Sequence, residues 1–150
     1  MKKTLWWDMD GTIANLYAVD GWLEMLRAYD PTPYTEAETM LNMALFARYL
    51  HKVQKLGYKI GILSWLSKCP TEEYDEAVTE AKLDWLGQHL PSVDWDEIVI
   101  VPYGTPKQSF METENDILFD DEDPNRANWY GDAYKPEDIL TVLKQIVKEN

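Results

Sequence analysis

A chain of 150 residues, 45% of them hydrophobic and 13% aromatic, has the apolar surface for one packed core and is too hydrophobic for a disordered segment. Its 27 acidic against 14 basic residues leave a net charge of −13, a field that repels nucleic-acid polymers and anionic membranes at long range. The lone cysteine, Cys69, excludes an intrachain disulfide, and no apolar run reaches the length of a membrane span.

The N-terminal "MKKTLWWDMDG" meets Asp8 after three apolar residues, too few for a signal-peptide core, so a cytoplasmic location is expected. Residues 3 to 7 read as a buried strand. Asp8 and Asp10 follow it, and Gly11 permits a sharp bend after them. A calcium loop of the EF-hand type needs acids at positions one, three and five with glycine at six; here glycine is fourth, which excludes it. The stretch that follows is broken by "YDPTPYT" at 29 to 35, and a small cap insertion is expected at about 14 to 40.

"AETMLNMALFARYLHKVQKLG" carries a broad apolar stripe and ends at Gly57, a suitable residue just past a helix C-terminus. "YKIGILS" at 58 to 64 is the second strand and carries Ser64 at its end. In "EEYDEAVTEAKLDWLGQHL", Tyr74, Ala77, Val78, Ala81, Trp85 and Leu86 recur at helical spacing, Glu72 and Glu73 suit the first turn, and Pro91 closes the helix. "EIVIVP" at 97 to 102 is a third strand with Lys107 a short loop beyond it, and "DILF" at 116 to 119 is a fourth, followed by Asp120 and Asp121. "PEDILTVLKQIVK" closes the chain as a helix with Ile139, Leu140, Leu143, Ile146 and Val147 on one face.

Strands alternating with helices predict a single α/β domain over residues 1–150, a Rossmann-like parallel sheet with helices on both faces. Ligands of such sheets bind at the carboxyl ends of the strands. The polar residues placed there are Asp8 and Asp10, Ser64, Lys107, and Asp120 with Asp121. Each has an ordinary reading by itself: serine as a turn or cap residue, lysine as a solvated side chain, paired acids as turn formers. Their common placement favours a shared task on a phosphate monoester.

Asp8, ionised at neutral pH, can attack phosphorus. A magnesium ion resolves the repulsion between four acids and a phosphate, with ligands from Asp8, from Asp120 or Asp121, and from the Asp10 backbone carbonyl. The Asp10 side chain is then free for proton transfer. Ser64 and Lys107 can hold phosphoryl oxygens, helped by backbone N–H groups around Met9 and Asp10. Tyr17, Trp22, Tyr34 and Trp65 lie near the expected mouth, where an aromatic base can stack, although Trp22 also fits core packing. Trp65 directly follows Ser64 and is the best placed of these to touch a bound phosphate ester. Trp85, His51 and His89 sit on helices and read as core or surface residues.

"DMDGT", Ser64, Lys107 and "ILFDD", in that order, resemble the four motifs of the haloacid dehalogenase superfamily of phosphotransferases. The resemblance implies a Rossmann-like sheet, Asp8 as nucleophile, Asp10 as general acid and base, and Mg2+ as cofactor. An acid at the position of Asp10 is what phosphatases and phosphomutases of that superfamily have, and its dehalogenases and ion-pumping ATPases lack. "AKLDWLGQHL", "DEIVIVPYGTPK" and "DILFDDEDPN" are further similar to the 5'(3')-deoxyribonucleotidases, although the segment between Asp8 and Ser64 is shorter than their base-binding insertion. A small phosphomonoester, first of all a nucleoside monophosphate, is the partner this implies. Other small phosphorylated metabolites, such as sugar phosphates, and a non-catalytic module that binds metal or a protein remain as alternatives. A response-regulator receiver domain is disfavoured, because its acidic pair precedes the phosphoacceptor. Oligomeric state has no signature in the sequence.

Overall fold

The computed structural model describes residues 2–68 and 71–150, so Cys69 lies outside the described residues. Among these described residues seven strands form: β1 (Thr4–Trp7), β2 (Ala14–Asn15), β3 (Glu38–Thr39), β4 (Lys59–Trp65), β5 (Glu97–Val101), β6 (Ile117–Phe119) and β7 (Ala133–Tyr134). Six α-helices accompany them: α1 (Trp22–Arg27), α2 (Thr32–Glu36), α3 (Met43–Lys55), α4 (Glu72–His89), α5 (Asp123–Asn128) and α6 (Ile139–Glu149). Five strands make one parallel sheet in the order β5-β4-β1-β6-β7, the α/β Rossmann-like arrangement that the alternation of strands and helices predicts.

β1 lies at the centre of the sheet, and all four of its side chains are buried. Leu5 and Trp7 face a core shared with Phe46 and Leu50 of α3, Trp85 of α4 and Leu143 of α6. Trp7 stacks on Phe119 at 4.9 Å and meets Phe46 edge-on at 5.4 Å. Trp6 points to the opposite face with Leu63, Leu118 and Trp129, under the short helical turn Lys107–Phe110. Its ring lies over Gly61, its partner on β4, where any Cβ would strike the indole.

At the amino end of β6 a buried acid ties strands together. Asp116 accepts from Thr4 N (2.9 Å), Trp6 Nε1 (3.1 Å), Glu112 N (2.8 Å) and Thr113 Oγ1 (2.6 Å). Burial pushes its carboxyl up, but these donors outweigh burial and hold it below the usual carboxylate range.

α4 spans the expected segment, capped by Thr71, whose Oγ1 accepts from Tyr74 N at 3.0 Å. Gly57 ends α3 as expected: it has φ +98°, and Gly57 N to Gln54 O and Tyr58 N to Val53 O close the last turn. The start of α3 differs from the expected helix over 37–57. Asn42 caps it by accepting from Leu45 N, and Glu38–Thr39 upstream pairs antiparallel with Ala14–Asn15 instead. The C-terminal helix likewise begins late, after a 3-10 turn at Pro136–Asp138. Within residues 14–40 the two-stranded ribbon, α1 and α2 pack Leu16, Leu26 and Tyr34 onto Tyr74, Val78 and Ala81 of α4. Among the described residues no helix is long and apolar enough to cross a membrane.

Candidate active site

The β1 strand delivers Asp8 into a tight loop. Asp8 N donates to Phe119 O at 2.9 Å, and the amides of Thr12, Ile13 and Ala14 all converge on the Met9 carbonyl. Glycine is required at position 11: its φ is +79°, and a Cβ there would strike the Asp121 carboxylate and stand 2.9 Å from the Tyr17 ring. The Met9 side chain is buried in the core, which leaves only its backbone for a ligand.

Asp8, Asp120 and Asp121 each offer a carboxylate oxygen, and these oxygens lie within 4.8 Å of one another. Lys107, only 2% exposed, bridges two of them, at 3.0 Å from Asp8 Oδ1 and 2.7 Å from Asp120 Oδ2. Burial pushes the Lys107 ammonium down, and the two carboxylates more than reverse this. Asp120 is pushed up to about 6 by burial and by Asp8, against the pull of Lys107. Asp121 is pushed up to about 8 by burial, then by Asp8 and Asp120. The cluster thus carries more negative charge than its one lysine offsets. Three hard oxygen donors in that state fit Mg2+, which takes one or two carboxylates together with substrate oxygens and water.

The Asp10 side chain stands apart from this cluster. Its Oδ2 accepts from Lys82 Nζ at 2.8 Å. Burial raises its carboxyl above the usual range, Lys82 opposes that, and Asp8 adds to it. Ser64 is fully buried at the end of β4, with Oγ 2.6 Å from the same ammonium. Trp65 donates from Nε1 to Thr105 O at 2.8 Å, and its ring lies 5.3 Å from the Lys107 ammonium and 4.8 Å from Tyr103.

Asp8, Asp10, Trp65, Lys107 and Asp121 line one cavity of about 560 Å³. Tyr17, Trp22 and Tyr34, singled out in the sequence, line it too, so the segment 14–40 forms its outer wall. Tyr17 and Trp22 meet edge-on at 5.0 Å. Arg27 and Lys68 are the cations of its rim. Trp85 is a core residue that donates to Ala37 O, His89 packs on its ring, and His51 bonds Ser92 O.

Several residues of the site have no assigned role in the sequence reading. Thr12 donates from Oγ1 to Asp8 Oδ2 at 3.0 Å and accepts from Asp121 N at 3.2 Å. Asn125 donates to Asp120 Oδ2 at 3.1 Å, and Arg126 to the Asp120 carbonyl at 2.9 Å. Lys82 carries one signal that marks it: it is a charged residue within the apolar stripe of α4, beside Ala81 and four residues after Val78.

No protein-family model and no curated protein sequence matches the chain. Solved structures do. D,D-heptose 1,7-bisphosphate phosphatase from Burkholderia thailandensis superposes with TM-score 0.59 at 13% identity, covering 97% of this chain and 99% of that one. A chain of the Pnkp1/Rnl/Hen1 complex gives TM-score 0.54 at 18% identity over 89% of this chain, which spans 45% of it. The HAD domain of effector protein Lem4 from Legionella pneumophila gives TM-score 0.47 at 17% identity, covering 98% of this chain and 94% of that one. The chain has the α/β Rossmann-like fold of the solved heptose bisphosphate phosphatase, with an acidic cluster at the carboxyl ends of its central strands.

Proposed function

We propose that the protein is a Mg2+-dependent phosphomonoesterase that acts through a phosphorylated Asp8, with nucleoside monophosphates as its substrates. The observation that carries this reading is the placement of Asp8. It is held between Lys107 and Thr12, at a cavity, beside two acids whose excess charge calls for a cation. The motifs that resemble the haloacid dehalogenase phosphatases, and the fold shared with a solved phosphatase, support it.

In this mechanism an Asp8 carboxylate oxygen attacks phosphorus, the new O–P bond forms, and the bond to the leaving oxygen breaks. The leaving oxygen takes its proton from Asp10, which lines the cavity and whose side chain stands outside the metal-suited cluster. Asp10 then accepts a proton from water as that water attacks phosphorus, the Asp8–phosphorus bond breaks, and inorganic phosphate departs. Lys107 has spent two of its three N–H donors on Asp8 and Asp120, so the third is free for a phosphoryl oxygen. Bound Mg2+, held by Asp8, Asp120 and Asp121, would supply charge neutralisation for the incoming phosphate. The aromatic pairs Tyr17 with Trp22 and Trp65 with Tyr103 line the cavity and offer it rings on which a base can stack.

A second reading, a sugar-phosphate phosphatase, draws on the phosphorylated sugar that the heptose bisphosphate phosphatase is named for and on the rim cations Arg27 and Lys68. A phosphate-release screen over nucleoside, sugar and aryl monophosphates decides between them. We expect the fastest release from nucleoside monophosphates, loss of release on chelation, and recovery with Mg2+. A preference for sugar phosphates selects the second reading, and release from none would make the protein a binding module.

A further inference from the structure

Lys82 is 1% exposed and lies on the buried stripe of α4, between Tyr74, Val78 and Ala81, which pack the 14–40 segment, and Trp85 and Leu86, which pack the main core. An ammonium has three N–H donors and no acceptor. Here each donor has its own acceptor: Asp10 Oδ2 at 2.8 Å, Ser64 Oγ at 2.6 Å and the Trp65 carbonyl at 2.9 Å. The Tyr34 ring, 5.2 Å from the nitrogen, closes the remaining side. Stability alone does not explain a lysine at this place, because burying an ammonium costs several kcal/mol that an apolar side chain of similar length avoids.

The two lysines of the site therefore differ in kind. Lys107 lines the cavity with one donor unspent, whereas Lys82 lies behind it with none left for a ligand. What Lys82 controls is the direction of its acceptors. The Ser64 hydroxyl oxygen, fully buried behind the cavity wall, accepts from Lys82 and with the Trp65 carbonyl anchors the ammonium. The Asp10 carboxylate is fixed by one oxygen, Oδ2, and Oδ1 is left to meet the leaving group.

We propose that Lys82 is a positioning residue of the phosphoryl-transfer reaction, an ammonium anchored on Ser64 and the Trp65 carbonyl that aims the Asp10 carboxylate at the leaving oxygen. The proposal rests on the phosphomonoesterase reading above. A residue that works through Asp10 matters most where the leaving oxygen needs a proton. An alkyl ester such as a nucleoside monophosphate leaves as a strongly basic alkoxide, and nitrophenyl phosphate leaves as a weakly basic phenolate.

The test compares kcat/KM of Lys82→Met on these two esters, with circular dichroism and the melting temperature as checks of folding. We expect a fall of about a hundredfold on the alkyl ester, the scale of lost acid catalysis, and less than about tenfold on the aryl ester. In the Asp10→Asn background, adding Lys82→Met costs the alkyl ester less than about threefold further, because both changes remove one function. Equal falls on both esters, no fall, or losses that multiply in the double variant overturn the proposal and leave Lys82 a structural ion pair. If the methionine variant fails to fold, Lys82→Gln, which keeps a polar group in the stripe, is held to the same split. Failure of the underlying reading is separate and visible: wild-type protein then releases phosphate from neither ester.

Discussion

The two ends of β6 carry buried carboxylates four residues apart, Asp116 and Asp120, each with no exposed surface, and they are in opposite states. Asp116 is surrounded by four donors that outweigh its burial, and its carboxyl is held low. Asp120 also has donors, from Lys107, Asn125 and the Glu122 amide, yet it is pushed up to about 6 because Asp8 and burial act against it. Burial therefore does not set what an acid does. An acid whose demand is met by neutral donors serves as a brace. One crowded by other acids keeps an unmet demand for a cation, and that is the condition for metal and phosphate chemistry.

The largest expected effect comes from the crowded end. Asp8→Asn should reduce phosphate release by at least about a thousandfold, since an amide is no nucleophile, while the protein keeps its fold. Residual turnover near the wild-type level would remove Asp8 from the mechanism. At the other end, Asp116→Ala should reverse the pattern. It strands the Thr4 and Glu112 amides and the Trp6 indole N–H, so denaturant unfolding should show a loss of about 2–4 kcal/mol, with kcat of the folded protein near wild type.

Metal addition sharpens the contrast on a smaller scale. At a Mg2+ concentration of ten times its Kd, the native state should gain about 1.4 kcal/mol, seen as a raised melting temperature in wild type and in Asp116→Ala but not in Asp120→Asn. The same crowding is read by pH in the metal-free protein. Asp120 and Asp121 titrate at about 6 and about 8 when folded, above their ordinary values in the unfolded chain. Across that window the native state holds protons that the unfolded state has released, so stability falls as pH rises from about 6 to about 8. A melting temperature that rises over this range would show that the acids are not crowded.

Much of this arrangement is legible in the sequence, for a physical reason. Asp8, Lys107, Asp120 and Asp121 follow strands, and parallel sheets present strand ends to one side, so chain order alone brings them together. Lys82 escapes that logic because it comes from the middle of a helix, where a lysine beside apolar residues reads as a surface side chain lying along its stem. Only the tertiary packing of α4 shows that it is enclosed. Thr12 is hidden for a similar reason, its role depending on a loop that wraps around the Met9 carbonyl. β2, β3 and β7 are two residues each, too short to carry a period, and the true start of α3 was set by the Asn42 cap rather than by the apolar stripe that continues upstream of it.

The central claim is that Asp8 carries the phosphoryl group between substrate and water. Rapid acid quenching during turnover, followed by peptide mass spectrometry, tests it directly. The account predicts one added phosphoryl group on the peptide containing Asp8, located on that residue and absent from Asp8→Asn. Phosphate released with no such adduct at any quench time, or an adduct on a different residue, would contradict it.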